Sequence, residues 1–448
     1  MVHFEDYGNL ARKSDPEPGW VRRKLYAVVS AKAPPAERRY RYLLRTFVVI
    51  FFLLLALPLA QIYLHPFPKA TVPHGLHPPP SKPRFTWQGF FNERFQRKFE
   101  GWFSKGNGLW GHFVRASNQI NYSLFNQVST HYSSTILAGN KGYFFQPMYL
   151  PSFNRIKQKR HRNFVKPVRT LRRFQDLLAE RGKTVVSLIS TNMLALYPDV
   201  VPSYYTDPTR LSRKNVYEII RPLYDEYGIN YVDGHEQLSA LVPSADLRFF
   251  EPTASHWNSV GSCLVTSRLV DRIAELMGKK LVNFACEPYI LSYPPRGWDL
   301  DLVRIANLVF PERTYVPAPY VEPRTLASGG EYKPKILFVG SSFLFAVLTH
   351  LEKHEVTDHF TYYFYYRQVR DSEHRRFRTL RRDKINWERD IFSHDVIVFE
   401  RNMASIHDMG FSFVKDAIRE LRKAKKNGAQ RDAASVVGRR QLVGSALF

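Results

Sequence analysis

Two residues set far apart in this chain have the makings of an acyl-transfer site. The apolar, β-rich run KILFV enters Gly340-Ser341-Ser342-Phe343 and then an apolar helical stretch, Leu344–Leu351. A serine at a tight strand-to-helix turn stands at the C-terminal edge of a sheet, where its backbone N–H and the helix N-terminus both favour an oxyanion. Gly340 permits close approach, and Ser341 shares the same elbow. Serine is also a common helix cap, so the turn alone does not separate a nucleophile from a cap. A hydroxyl nucleophile needs a base, usually a histidine that a carboxylate orients. FFEPTASHWNSVGS offers His256 just before a helix starting at Asn258, with Glu251 five residues upstream.

A second group of residues has the chemistry to grip an anionic sugar. The run TYYFYYRQVR carries Tyr366, Arg367 and Arg370, and DVIVFERN carries Arg401. Tyrosines stack on sugar faces, and guanidinium clamps a carboxylate through two parallel hydrogen bonds. A strand with inward-facing tyrosines is the plainer reading for most of those aromatics. Lys/Arg-rich runs at Arg155–Arg173 and His374–Lys384 are either solvated helix faces or a surface for a polyanion or lipid.

The elements that must position these residues follow from hydrophobic pattern. Lys183–Ser190, Asn230–Val232, Lys335–Val339 and Asp395–Glu400 read as short apolar strands. Arg169–Glu180, Asn215–Tyr227 and Asn258–Met277 read as helices between them. Buried strands alternating with helices predict an α/β fold, a mainly parallel sheet covered on both faces.

Ahead of this lies an uncharged run, Thr46–Leu64, long enough to cross a bilayer, with Arg38, Arg39, Arg41 and Arg45 on its N-terminal side. The flank His65–Pro83 is poor in Lys and Arg, so the charge bias predicts a cytoplasmic N-terminus and an exported main domain. A leader of about 45 residues is too long for a cleaved signal peptide. The expected organisation is a basic cytoplasmic tail (1–45), a transmembrane helix (46–64), a proline-rich spacer (65–84), the main domain (85–422) and a basic tail (423–448). Phe90, Phe91, Phe95, Phe99, Trp102 and Phe103 recur at helical spacing and predict a core-facing helix.

The 448 residues carry a net charge of +25, which attracts polyanions or anionic lipid. Export removes nucleic acid from the candidate partners. With only two cysteines, Cys263 and Cys286, and no Cys/His cluster, no metal site is expected. The pair forms either one disulfide or two separate buried thiols.

From about Phe85 to Ile418 the chain resembles the SGNH-hydrolase-like domain of the AlgJ/AlgX-type polysaccharide (alginate) O-acetyltransferases. The resemblance is carried, in the family's order, by GNKGYFF (Gly139–Phe145), STNMLALYPDVVPSYY (Ser190–Tyr205), Tyr231-Val232-Asp233, SHWN (Ser255–Asn258), FVGSSF (Phe338–Phe343) and DVIVFERN (Asp395–Asn402). It implies an SGNH-like fold, a Ser342–His256 catalytic pair without cofactor, and acetyl transfer to a secreted, anionic polysaccharide. It further implies a place in the bacterial inner membrane with the main domain in the periplasm. A membrane-bound O-acyltransferase partner would supply the acetyl groups there.

The sequence departs from the family at one position that matters. The triad carboxylate belongs two residues before the histidine, where this chain has Ala254. Three arrangements satisfy the sequence. Glu251 reaches His256; or a Ser–His dyad works with a backbone carbonyl orienting the ring; or the chain is a carbohydrate-binding scaffold without catalysis. An acetylesterase of the same fold is the nearest enzymatic alternative.

Overall fold

The computed structural model describes residues 35–128, 136–156, 162–322, 324–327, 329–408 and 410–425. Most of both basic tails, and residues 157–161 of the Arg155–Arg173 run, lie outside them. The chain divides into two compact units: residues 1–70 with 79–110, and residues 71–78 with 111–448.

The larger unit is built on a seven-stranded sheet. Its strands are β1 (Thr184–Ser190), β2 (Tyr231–Asp233), β3 (Lys335–Gly340), β4 (His359–Phe364), β5 (Gln368–Asp371), β6 (Arg378–Thr379) and β7 (Val396–Asn402). Their spatial order is β6-β5-β4-β3-β7-β1-β2. Neighbours from β4 to β2 pair in parallel, and β5 and β6 add an antiparallel edge. The tyrosine-rich run is thus a hairpin, β4 and β5, and not one strand.

Side-chain alternation along the central strands splits the core into two layers. On β3, Ile336 and Phe338 join a cluster with the helices Ser259–Met277 and Leu344–Lys353. Leu337 and Val339 point the other way, into a cluster with Arg162–Ala179, Val216–Glu226 and the helix 413–425. β7 alternates likewise, Val396 and Val398 against Ile397 and Phe399. Burial on both faces is why these strands read as unbroken apolar runs. Cys263, on the helix Ser259–Met277, is disulfide-bonded to Cys286.

The smaller unit contains the helix Pro35–Tyr63, of which Arg39–Tyr63 is long and apolar enough to cross a membrane, and none of its apolar 18-residue window is buried among the described residues. At its end the Gln61 side chain bonds both the carbonyl and the N–H of Phe67, at 2.7 and 3.1 Å. The helices Trp87–Phe91 and Arg94–Gly106 follow in the same unit. The expectation of a core-facing aromatic helix is not met. Neither helix has a buried residue, and Phe90, Phe91 and Phe99 are exposed. Periodicity identified one apolar face correctly but could not say what covers it.

Candidate active site

The C-terminal ends of β1, β3 and β7 meet at one buried carboxylate. Glu400 accepts the Ser190 hydroxyl proton at 2.5 Å through one oxygen and the backbone N–H of Ser341 at 2.7 Å through the other. This fixes the turn after β3 to its neighbours. Gly340 is required here, because a Cβ would sit 2.8 Å from the Glu400 side chain and 2.6 Å from that of Leu344. The Tyr362 hydroxyl donates to the Ser341 carbonyl at 2.6 Å. Ser341 is therefore a fastening point of the elbow. Ser342 is only half-buried.

His256 is delivered by a loop closed at its base. Phe250 and Trp257 form an antiparallel bridge, and the Asn258 N–H bonds the Phe249 carbonyl at 2.9 Å. Asn258 then caps the helix Ser259–Met277 by accepting from the Gly261 N–H at 3.0 Å. Two of the sequence blocks hold this loop from outside. The Phe144 N–H bonds the Pro252 carbonyl, and the Tyr197 hydroxyl accepts the Phe249 N–H. Phe343 packs its ring against His256 and Trp257, at 5.0 and 5.2 Å between centroids, joining loop to elbow.

His256 Nε2 lies 2.7 Å from Ser342 Oγ, and His256 Nδ1 lies 2.6 Å from Asp301 Oδ2. Asp301 is the residue that sequence reasoning missed. Its other oxygen accepts the backbone N–H of Ser255 at 2.8 Å. Thr253 clamps the same segment, its carbonyl accepting from the N–H groups of Leu302 and Val303 and its hydroxyl donating to the Asp299 carbonyl. A carboxylate can only accept, so Nδ1 carries the ring proton and the Nε2 lone pair faces the serine hydroxyl. That is the orientation a serine nucleophile needs. The only signal in the sequence was an Asp-x-Asp pair, Asp299 and Asp301, opening a short apolar helix, Asp301–Ala306.

Glu251 does not orient His256. One of its oxygens accepts from Asn258 Nδ2 at 3.0 Å, and the other has no hydrogen-bond partner among the described residues, with Arg248 3.6 Å away. The turn that Pro252 helps to make, closed by the Ala254 N–H on the Glu251 carbonyl, directs the side chain inward. Burial pushes the Glu251 carboxyl up to about 7, against the pull of Asn258 and Arg248. Asp299 is likewise raised, to about 6, by burial and then by nearby Asp301, although the Tyr320 hydroxyl bonds it and opposes the rise. Ala254 is fully buried under this turn.

The sugar-gripping candidates fare differently from one another. Tyr366 is fully buried, turned into the second core layer against Phe413 and covered by the Arg382 guanidinium at 4.1 Å. Arg401 is also buried; it bonds Asp408 and the Ser405 carbonyl and lies over Phe411. Neither side chain is presented to a ligand. Arg370 is held by Glu352 at 2.7 Å and lies over Phe360. Arg367 is exposed beyond the end of β4. An exposed aromatic beside His256 is Trp298. Half of its surface is exposed, its ring is edge-on to His256 at 5.9 Å, and it stacks on Phe345 at 5.0 Å with planes 4° apart.

No family model and no curated protein matches the sequence. Among solved structures, the chain is similar to the O-acetyltransferase domain of Pseudomonas putida AlgJ, at 13% identity and a TM-score of 0.42, covering 64% of this chain and 99% of that one. It is similar to Pseudomonas aeruginosa AlgX at 12% identity and 0.36, covering 63% and 67%. For Bacillus cereus PatB1 with a sulfonyl adduct the values are 8% and 0.40, covering 62% and 99%.

Proposed function

We propose that the chain is a membrane-anchored O-acetyltransferase of the SGNH-like kind, acting on a secreted, anionic polysaccharide. The observation that carries this reading is the continuous Ser342–His256–Asp301 array. Ser342 Oγ attacks the carbonyl of an acetyl donor while His256 takes its proton. The bond between the donor's carbonyl carbon and its leaving group breaks, the leaving group takes the proton from His256, and an acetyl-serine ester remains. A sugar hydroxyl then loses its proton to His256 and attacks that ester, and Ser342 leaves with the proton restored. No acceptor among the described residues takes the Ser342 backbone N–H, which leaves it available to the oxyanion. Asp301 stabilises the imidazolium in both halves of the cycle.

An acceptor ring stacked on Trp298 would bring a hydroxyl to His256. This surface replaces Tyr366 and Arg401 in the reading. The donor would come from a membrane-bound O-acyltransferase partner, and the main domain would lie in the periplasm with the N-terminus in the cytoplasm. The Cys263–Cys286 disulfide supports an oxidising compartment. Hydrolysis uses the same array with water as acceptor, so the two activities differ only in what reaches His256.

The test is to incubate the full-length chain, purified in detergent, with 4-nitrophenyl acetate. An acetyl group on the peptide containing Ser342, found by mass spectrometry and passed to an added oligouronide, is expected. Ester cleavage without transfer to any sugar would make the chain an esterase. No acetyl-enzyme and no cleavage would end the enzymatic reading.

A further inference from the structure

Among the described residues, the smaller unit carries a largely exposed aromatic surface. Phe85, Trp87, Phe90, Phe91, Phe95, Phe99, Trp102 and Phe103 contact one another in an unbroken chain of ring pairs, with centroids 5.2 to 6.3 Å apart for adjacent members. Within Arg94–Gly106 the spacing of 95, 99, 102 and 103 puts four of these on one helix face. Trp87 is 68% exposed and Phe91 78%. Leaving so many large rings in water forfeits the hydrophobic stabilisation that burial would give each one.

The unit itself indicates the occupant. Gly108, just beyond the aromatic helix, is seated at the end of the apolar helix Pro35–Tyr63. Its carbonyl accepts the Ala70 N–H at 2.9 Å, and a Cβ there would meet Gln61 at 3.6 Å and Lys69 at 3.3 Å. Gln61 lies two residues from the end of the candidate span Arg39–Tyr63. If that helix crosses a bilayer, the aromatic helix leaves from the level of the lipid headgroups. Its charges fit the same place, with Lys82, Arg84, Arg94, Arg97, Lys98 and Lys105 outnumbering Glu93 and Glu100 across residues 82–106. Lys82 also caps the Trp102 ring at 5.3 Å. Trp and Phe on one side and Lys and Arg on the other describe a helix lying in the plane of the interface.

We infer that residues 85–106 form an interfacial segment that embeds its aromatic ridge in the outer leaflet beside the transmembrane helix, with its cations at anionic headgroups. This rests on the membrane-anchor reading and deepens it: the chain is held to the bilayer at two places, through a span and a surface helix.

The experiment uses the full-length chain in phosphatidylethanolamine/phosphatidylglycerol vesicles, with a spin label at one introduced cysteine at a time. The two native cysteines are disulfide-bonded and do not compete for the label. Labels replacing Phe91 and Phe99 are expected to be relaxed several-fold more by oxygen, which concentrates in lipid, than by a water-soluble nickel chelate. A label at Arg97 should show the reverse. A label at Leu54, within the span, should be deeper than all three. Phe91 and Phe99 labels open to the chelate, with Leu54 in lipid, would overturn the ridge alone. Labels there shielded from both relaxants would mean protein covers the ridge, and would also overturn it. A Leu54 label open to the chelate would remove the anchor and the inference together.

Discussion

Glu251 and Asp301 both lie beside the loop that carries His256, and their surroundings differ at each oxygen. Asp301 receives one donor on each oxygen, the Ser255 N–H and the imidazole, and part of its side chain reaches solvent. Glu251 is 1% exposed, receives one side-chain amide, and its second oxygen takes no hydrogen bond among the described residues, with Arg248 at 3.6 Å. The first environment gives each oxygen a donor. The second disfavours charge and raises the carboxyl to about 7. Proximity in sequence favoured Glu251, five residues from the histidine. Proximity in space, across a 45-residue gap, favours Asp301. Ala254 stands where the resemblance would place a carboxylate, and the carboxylate that reaches His256 comes from another segment, one clamped to the loop by Thr253.

Substitutions can break or sharpen this contrast. Ser342→Ala should give the largest effect, removing ester cleavage and acetyl-enzyme altogether while the thermal midpoint stays within a few degrees. Ser341→Ala should be much milder, since Ser341 is tied to Glu400 through its backbone. Next in size, Asp301→Asn should lower turnover by roughly 10⁴ if the carboxylate acts as in a serine-protease triad. Ala254→Asp should then bring no gain. Ala254 is fully buried, and the imidazole nitrogen that a carboxylate there would seek is already taken. A second carboxylate should instead cost at least roughly 2 kcal/mol of folding stability, read from denaturant unfolding. A rise in activity would show that the loop opens to accept it.

Glu251→Gln should have the smallest effect on turnover, and a pH-dependent effect on stability. Below about pH 4.5, its ordinary value, Glu251 is protonated in both folded and unfolded chains and contributes no difference. Between there and about 7 the unfolded chain ionises and the folded one does not, so stability falls as pH rises, and above 7 the deficit is constant. The variant lacks this loss. It should match the parent near pH 4 and exceed it at pH 8 by up to about 3 kcal/mol. A variant less stable than its parent at pH 8 would mean that the carboxylate is ionised and satisfied.

Much of the scaffold was legible in the sequence because its strands are buried on both faces. KILFV and DVIVF could be little else, and the parallel order follows from the helices between them. The Ser342 elbow was legible for the same reason, since a turn after such a strand has only one place to stand. Asp301 was not legible, because a contact between two loops leaves no periodic trace. Tyr366 and Arg401 were misread because residue type announces sugar chemistry whether a side chain faces solvent or core. The aromatic stripe around Phe99 was misread for a related reason: its period reports an apolar face and says nothing of the medium against it.

The most direct measurement compares 4-nitrophenyl acetate cleavage by Asp301→Asn and Glu251→Gln side by side, with both variants shown to be folded. The account predicts a loss of roughly 10³–10⁴ for Asp301→Asn and a change within about threefold for Glu251→Gln. Activity lost with Glu251→Gln and kept with Asp301→Asn would contradict it.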